Sequence, residues 1–126
     1  MNLYIGIDHV QLAAPPGCEA AARRFFVNIL GMAELTKPAA LQARGGIWLQ
    51  CGMHQLHIGI QKDFQPASKA HPAIRVLDMA ALRTRLKQNN IGIIEDDAIV
   101  GLDRFYVADP FGNRIEFVEA QLLPAP

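Results

Sequence analysis

The chain has 126 residues, 51% of them hydrophobic, and its twelve basic and twelve acidic side chains cancel to a net charge of zero. This length suits one compact domain or two very small modules, and the apolar content allows a sizeable core. Without a basic stripe, a charge run or a long apolar stretch, the sequence predicts binding to neither nucleic acid nor a membrane.

The start of the chain and the two cysteines bear on location. The first residues, MNLYIGIDHVQL, lack the basic region, apolar run and cleavage site of a signal peptide. Cys18 and Cys51 lie in unlike contexts and are interpreted most simply as reduced thiols, with a disulfide as the alternative. Together these features predict a cytoplasmic protein.

The first half of the chain is predicted to hold a strand, a helix and three more strands. The alternating segment 4–13 favours a strand, and the alanine-rich segment 17–30 favours a helix that Gly31 ends. The three following strands are indicated by the segments MAELTK, GGIWLQCG and HQLHIGI, the last two joined by a tight turn.

The same order of elements recurs after the connection KDFQPASKAHP. HPAIRVLD favours a strand, residues 79–90 favour a helix that ends at Gly92, and IGIIED favours a short strand. DRFYVADPFGNRIEFVE predicts a hairpin whose turn is DPFGN. The tail, residues 121–126, is expected to be loosely held.

The two halves can be overlaid. Placing HVQLAA on HPAIRV aligns His9 with His71, an offset of 62, and placing LHIGI on IEFVE aligns His57 with Glu116, an offset of 59. The pattern of elements, more than residue identity, predicts a repeat. We therefore expect one domain, residues 1–126, made of module 1–66 and module 67–126.

Strand alternation separates these four side chains from the apolar residues that flank them. Burying a lone ionisable group is costly, so the convergence of three imidazoles and a carboxylate is best explained if they share a divalent cation. This donor set suits zinc, nickel, cobalt, iron or manganese, and we expect one such ion per site. His54, in a predicted turn, is expected to be a surface residue.

Three segments of the chain resemble the vicinal oxygen chelate superfamily, which includes glyoxalase I, methylmalonyl-CoA epimerase, extradiol dioxygenases, fosfomycin-resistance transferases and bleomycin-resistance proteins. They are IDHVQL near the start, HPAIRV in the middle and DPFGNRIEFVE near the end. The last is the most specific, because the family has a turn of Asp-Pro, a variable residue and Gly before the strand that bears its acidic ligand. The resemblance covers nearly the whole chain.

The resemblance implies an α+β fold in which paired βαβββ modules form a cupped mixed sheet around a metal. Carried across, the metal ligands are His9, His57, His71 and Glu116. His57 departs from the pattern, since glyoxalase I has glutamate and the epimerases have glutamine at that position. Dioxygenases and fosfomycin enzymes use two histidines and a glutamate, so His57 is either a ligand or a catalytic base, and Glu116 is the other candidate base.

The charge of such a site constrains its substrate. One carboxylate and three neutral imidazoles leave about one positive unit around a divalent ion, which favours an anionic or enolate-like oxygen. Arginines near such a cation would suit a small carboxylate- or phosphate-bearing substrate. Gly59 is expected to keep the cup open. Alternation predicts that the substrate-binding residues are Gln11, Trp48, Gln50, Arg75, Arg104 and Tyr106.

These expectations favour a metal-dependent lyase or isomerase that acts on a small oxygenated substrate through a metal-bound enolate. An extradiol-type dioxygenase is the second interpretation, and a transferase of the fosfomycin type is weaker because its substrate-binding residues have no counterparts that we can assign. A protein of another class, which binds a flat or aromatic compound without catalysis as bleomycin-resistance proteins do, would use Trp48 and Tyr106.

Assembly follows from the edges of the predicted sheets. Exposed strand edges template further pairing and are normally covered. The family covers them by pairing modules within one chain or between two chains, and many members are homodimers. The resemblance therefore implies a homodimer with two metal sites.

Overall fold

The computed structural model describes residues 1–121. The chain forms two compact units, Met1–Pro66 and Ala67–Pro126, and each carries one four-stranded mixed sheet. Apart from Gln121, the tail that was expected to be loosely held lies outside the described residues.

The sheet of the first unit is built from strands β1 (His9–Ala14), β2 (Ala33–Leu35), β3 (Ile47–Cys51) and β4 (His54–Ile60). Their order across the sheet is β1-β4-β3-β2, with β1 parallel to β4 and the other neighbours antiparallel. The second unit has strands β5 (Ala73–Val76), β6 (Ile94–Glu95), β7 (Arg104–Ala108) and β8 (Arg114–Glu119). Their order, β5-β8-β7-β6, repeats that of the first sheet, again with one parallel pair.

The two sheets also share a register. Gln11 lies opposite His57 across the parallel pair of the first unit, and Ala73 lies opposite Glu116 across that of the second. These pairs are related by the offsets of 62 and 59 that the overlay of the two halves predicts. Each unit therefore holds one member of both donor pairs, His9 with His71 and His57 with Glu116. His71 lies two residues before β5, so the strand predicted from His71 to Asp78 is shorter than expected. The expected α+β fold of two βαβββ modules is confirmed.

The helix of the first unit begins as α1 (Glu19–Ala22) and continues as a π-helical segment, Arg23–Ile29. It ends before Gly31, whose φ of 81° lies in the left-handed region that glycine tolerates. The π-helical segment buries Phe25 and Phe26, whose rings meet edge to face with centroids 4.9 Å apart. The predicted span is confirmed, whereas its π geometry was not expected.

Two further helices lie within residues 1–121. A short helix, α2 (Ala39–Gln42), lies between β2 and β3 and was not predicted. In the second unit α3 (Met79–Gln88) begins where the Asp78 carboxylate accepts a hydrogen bond from the Ala81 N–H at 2.9 Å. The prediction that Gly92 ends this helix is wrong, because Asn90 already takes the left-handed conformation at φ 58°.

The first strand is shorter than predicted. Residues 4–8 form no strand, and β1 begins only at His9. Its partner strand β4 starts at His54, and His9 already lies opposite Gln55. The partner strand therefore has no room for the earlier residues, whose apolar side chains are exposed.

Each unit has its own apolar core beneath one face of its sheet. In β8 the alternation is plain, since Ile115 and Phe117 are buried while Arg114 and Glu116 are half-buried. The buried apolar residues of the first unit include Ala14, Ala22, Phe26, Ile47, Leu49 and Ile58, and those of the second include Leu86, Phe105, Val107, Ile115 and Phe117.

Cys18 is buried, Cys51 is half-buried, and the two are not bonded to each other. Across residues 1–121, every helix is too short or too polar to cross a lipid bilayer.

Candidate metal centre and substrate face

The second unit brings His71 and Glu116 together. His71 Nε2 lies 3.0 Å from Glu116 Oε1, and both side chains are largely shielded from solvent. Two ligands that are each about 2.1 Å from one metal ion are about 3.0–3.4 Å apart. The separation of these two donor atoms therefore fits ligands of a common ion.

The other ring nitrogen of His71 fixes where its proton lies. Nδ1 is 2.7 Å from the carbonyl oxygen of Lys69, which can only accept a hydrogen bond. Nδ1 must carry the proton, so the Nε2 of a neutral ring presents a lone pair to the Glu116 carboxylate. Two acceptors this close require a proton or a cation between them, and histidine ligands commonly donate their other N–H to a carbonyl in this way.

His9 in the first unit has a similar arrangement. Its Nδ1 lies 2.8 Å from the carboxylate of Asp8, which is exposed. A carboxylate accepts the Nδ1 proton and leaves Nε2 as the free lone pair, as in the carboxylate–histidine pairs that orient metal ligands. His9 therefore fits a ligand position through Nε2.

His57 lies between two rings. It stacks on Trp48 with centroids 4.0 Å apart and on His9 with centroids 4.1 Å apart. Its Nε2 is 2.9 Å from Gln55 Oε1, and only 4% of the residue is exposed. Burial lowers the pKa of His57, and the neighbouring His9 lowers it further. The ring is thus held neutral in a fixed orientation, with Nε2 engaged by the Gln55 amide.

Each unit supplies one pair of the four predicted donors, His9 with His57 and His71 with Glu116. Within residues 1–121, neither unit by itself groups three His, Cys, Asp or Glu side chains as metal ligands. Imidazole and carboxylate donors fit the zinc, nickel, cobalt, iron and manganese ions that the sequence suggested. A complete site of four donors would need both pairs.

The predicted lining residues of the first unit are already engaged. The Gln50 amide donates to the carbonyl oxygens of Gly52 and His54, so it stabilises the β3–β4 turn. The side chain of Gln11 fills the space over Gly59. Gly59 therefore makes room for Gln11, and the expectation that it leaves the face open is wrong. His54 is exposed, as expected.

In the second unit Arg104 and Tyr106 share the face of Glu116. Tyr106 lies opposite Glu116 in the register, and its ring meets His71 edge to face at 5.4 Å. Arg104 pairs with Asp96 at 3.0 Å and with Glu116 at 3.4 Å. The charge of Arg104 is therefore balanced by two carboxylates, although its buried Nε has no hydrogen-bond partner.

Two more arginines belong to this face. Arg75, on the edge strand β5, has an exposed side chain. Arg114 was not predicted, although it lies two residues before Glu116 and alternation puts it on the same face. Its guanidinium is centred 3.9 Å from the centroid of the Tyr106 ring. The alternation within β8 could have identified it.

The turn that leads into β8 is held by a buried carboxylate. Asp109 is 5% exposed, and its Oδ1 accepts hydrogen bonds from the backbone N–H groups of Phe111 and Asn113. Its Oδ2 accepts from the Asn113 side chain at 2.8 Å. Burial raises the pKa of Asp109, while these hydrogen bonds oppose that effect. The turn thereby fixes the start of the strand that carries Arg114 and Glu116.

No protein-family model matches the chain, and no curated protein matches it. Among solved structures, a glyoxalase family protein from Bacillus anthracis is 50% identical with a TM-score of 0.92, over 96% of this chain and 100% of that one. The chain belongs to the glyoxalase family.

Two more distant structures share the fold. Lactoylglutathione lyase from Agrobacterium tumefaciens is 19% identical with a TM-score of 0.73, over 98% of this chain and all of that one. A glyoxalase/dioxygenase from Nostoc punctiforme is 20% identical with a TM-score of 0.75, over 97% and 99%. Membership of the glyoxalase family confirms the resemblance to the vicinal oxygen chelate superfamily. At 19% and 20% identity, the two more distant structures show the fold alone.

Proposed function

We propose that the protein is a metal-dependent enzyme of the glyoxalase type that acts on a small, oxygenated, anionic substrate. The metal ligands are His9, His71 and Glu116, and His57 is either a fourth ligand or the catalytic base. The observation that carries this proposal is the geometry of His71, whose Nε2 lies 3.0 Å from Glu116 Oε1 while Nδ1 is held by a backbone carbonyl.

The chemistry of the donor set favours a lyase or isomerase. A divalent ion held by neutral imidazoles and one carboxylate would act as a Lewis acid that stabilises negative charge on a substrate oxygen. His57, kept neutral by burial, could accept a proton from a substrate carbon. The Gln55 amide would hold that ring in place during the transfer.

A dioxygenase is the second candidate. Two histidines and one carboxylate form the facial triad of non-haem iron oxygenases. His9 and His71 each have Nδ1 engaged by an oxygen acceptor, which leaves two Nε2 atoms for such a triad with Glu116. Metal identity helps to separate the candidates, because the facial triad is typical of non-haem iron.

Binding of an aromatic compound without catalysis is less well supported. One face of Trp48 is covered by His57, and the Tyr106 ring is in contact with Arg114 and His71. Tyr106 is therefore already in contact with two neighbours, and Trp48 has at most one face free for a ligand.

The test is a metal analysis after purification without chelator, followed by a screen of small 2-oxo and dihydroxy compounds with the metal that is found. The proposal expects a stoichiometric transition metal and turnover that a chelator abolishes and the same metal restores. Metal-free protein that gains no activity or binding when zinc, nickel, cobalt, iron and manganese are added in turn would contradict it.

We also propose that the protein is a homodimer. Each sheet has two edge strands, β1 and β2 in the first unit and β5 and β6 in the second. Next to β1 the chain exposes Leu3, Tyr4, Ile5 and Ile7. An apolar run beside an open edge is suited to contact with a second copy.

A further inference from the structure

We infer that Arg114, resting on the ring of Tyr106, is the anion-binding residue of the substrate face and that it takes a carboxylate or phosphate group. This inference rests on the proposed function, since it names the group on the substrate that the same site recognises.

Arg104 is one of the two arginines that the sequence predicts to bind substrate, yet its charge is already balanced by carboxylates. Its two terminal nitrogens contact the carboxylates of Asp96 and Glu116, and Nη1 also donates to the Tyr106 hydroxyl at 3.2 Å. A substrate anion would have to displace one of these carboxylates or be repelled by it. Arg104 therefore serves to position Glu116 and Tyr106.

Arg114 differs because it has no carboxylate partner within residues 67–121. It is half-buried, and its contact within the unit is with the face of Tyr106, at 3.9 Å. The ring attracts the cation and holds the planar guanidinium in one orientation without neutralising it. A preorganised, uncompensated guanidinium is suited to pair with a carboxylate or phosphate through two parallel hydrogen bonds.

The position of Arg114 in β8 sets its distance from Glu116. Arg114 and Glu116 are two residues apart on one face of β8, which separates their Cα atoms by about 7 Å. An anionic group at Arg114 would lie close to an oxygen held near Glu116 and His71. Small substrates with an acidic group a few bonds from the reacting oxygen fit this spacing.

The test uses metal-free protein, so that the anion site is measured separately from any metal. Inorganic phosphate is titrated, and the Tyr106 ring resonances report binding. We expect saturable binding that Arg114→Gln weakens by about tenfold or more, the loss typical of a charge-assisted contact. Arg85→Gln is the matched control, since it removes the same charge from an exposed position on α3, and it should change affinity by less than about twofold.

Two further variants test whether phosphate binding depends on the planar guanidinium of Arg114. Arg114→Lys retains the charge but not the planar fork, so it should bind phosphate several times more weakly than the wild type, and unchanged affinity would contradict the inference. Arg75→Gln tests the other arginine of this face, and a loss equal to that of Arg114→Gln would overturn the assignment.

Manganese binding is measured on the same wild-type preparation. A protein that binds metal but shows no saturable phosphate shift at Tyr106 overturns this inference and leaves the proposed function standing. A protein that binds phosphate through Arg114 but binds no metal loses the proposed function and keeps the anion site.

Discussion

The side-chain amide of Gln11 lies directly over Gly59 in the neighbouring strand. A Cβ built on Gly59 would come 2.6 Å from Gln11 Nε2 and 2.8 Å from Gln11 Cδ, closer than such atoms approach. The glycine therefore allows a polar side chain of β1 to cross the strand that carries His57. The contact joins Gln11, a predicted substrate-binding residue, to the backbone of Gly59, which lies two residues after the candidate base His57.

This contact predicts a coupling between the two positions. Gly59→Ala should destabilise the protein by less than about 1 kcal/mol, because the flexible end of Gln11 can move aside. In a Gln11→Ala background the same substitution should be neutral or stabilising, since alanine costs less backbone entropy than glycine in a strand. Urea unfolding of the four proteins measures the cycle, and equal effects of Gly59→Ala in both backgrounds would show that the contact is unimportant.

The hydrogen bonds that Asp109 accepts in the turn before β8 predict the stability of two variants. Asp109→Ala removes the acceptor of two backbone N–H groups and one side-chain amide, so it should cost about 2–3 kcal/mol of unfolding free energy. Asp109→Asn keeps one acceptor oxygen and should cost roughly half as much. If the two variants were equally stable in denaturant titrations, the hydrogen bonds to the carboxylate would not be what holds the turn.

Much of the fold could be predicted from the sequence because strand alternation and the repeated element order are local patterns. The equivalence of His57 and Glu116 needed only the overlay of two halves, and the register of both sheets agrees with it. The strands and the equivalence of these two residues depend on which face of each strand is apolar. Residues adjacent in the sequence determine that face.

The features that could not be predicted depend on neighbours distant in sequence. The π geometry of Arg23–Ile29 places Phe25 and Phe26 in the core, and helix periodicity alone does not indicate it. The pairing of Arg104 with Asp96 joins β7 to the residue that follows β6, so only the fold reveals that this arginine is neutralised. The stacking of Trp48 on His57 is likewise revealed only by the fold.

An ion pair next to β7 predicts the acid sensitivity of the second unit. Arg83 donates to both oxygens of Asp103, and these hydrogen bonds lower the pKa of that carboxyl below its ordinary 3.8. A lowered pKa in the folded state contributes stability that is fully present above about pH 4 and is lost as the pH falls through the folded value.

Asp103→Asn removes this titration. Its unfolding free energy should therefore approach that of the wild type as the pH is lowered from 7 towards 2.5, measured by urea denaturation at each pH. A gap between the two proteins that stays constant over this range would show that the Arg83 pair does not contribute to acid sensitivity.

Mixed assemblies test how the two donor pairs are brought together. Co-refolding His9→Ala chains with Glu116→Ala chains should restore part of the metal binding if each site takes one donor pair from each of two chains, because some heterodimer sites then hold every ligand. Sites formed within one chain would all lack a ligand and recover nothing.

Light scattering after size-exclusion chromatography at micromolar concentration should show a dimer, and a clean monomer would contradict the homodimer proposal.

The proposed metal site requires that His71 and Glu116 are ligands of one divalent ion. His71→Ala and Glu116→Ala should each abolish tight metal binding, whereas His54→Ala, which removes an exposed histidine of the first unit, should bind metal as the wild type does. The most direct measurement is the metal-to-protein ratio of these purified proteins after dialysis against metal-free buffer, with circular dichroism as the control for folding. We expect a stoichiometric ratio for the wild type and His54→Ala and a ratio near zero for His71→Ala and Glu116→Ala. Metal retained by both folded His71→Ala and Glu116→Ala would contradict it.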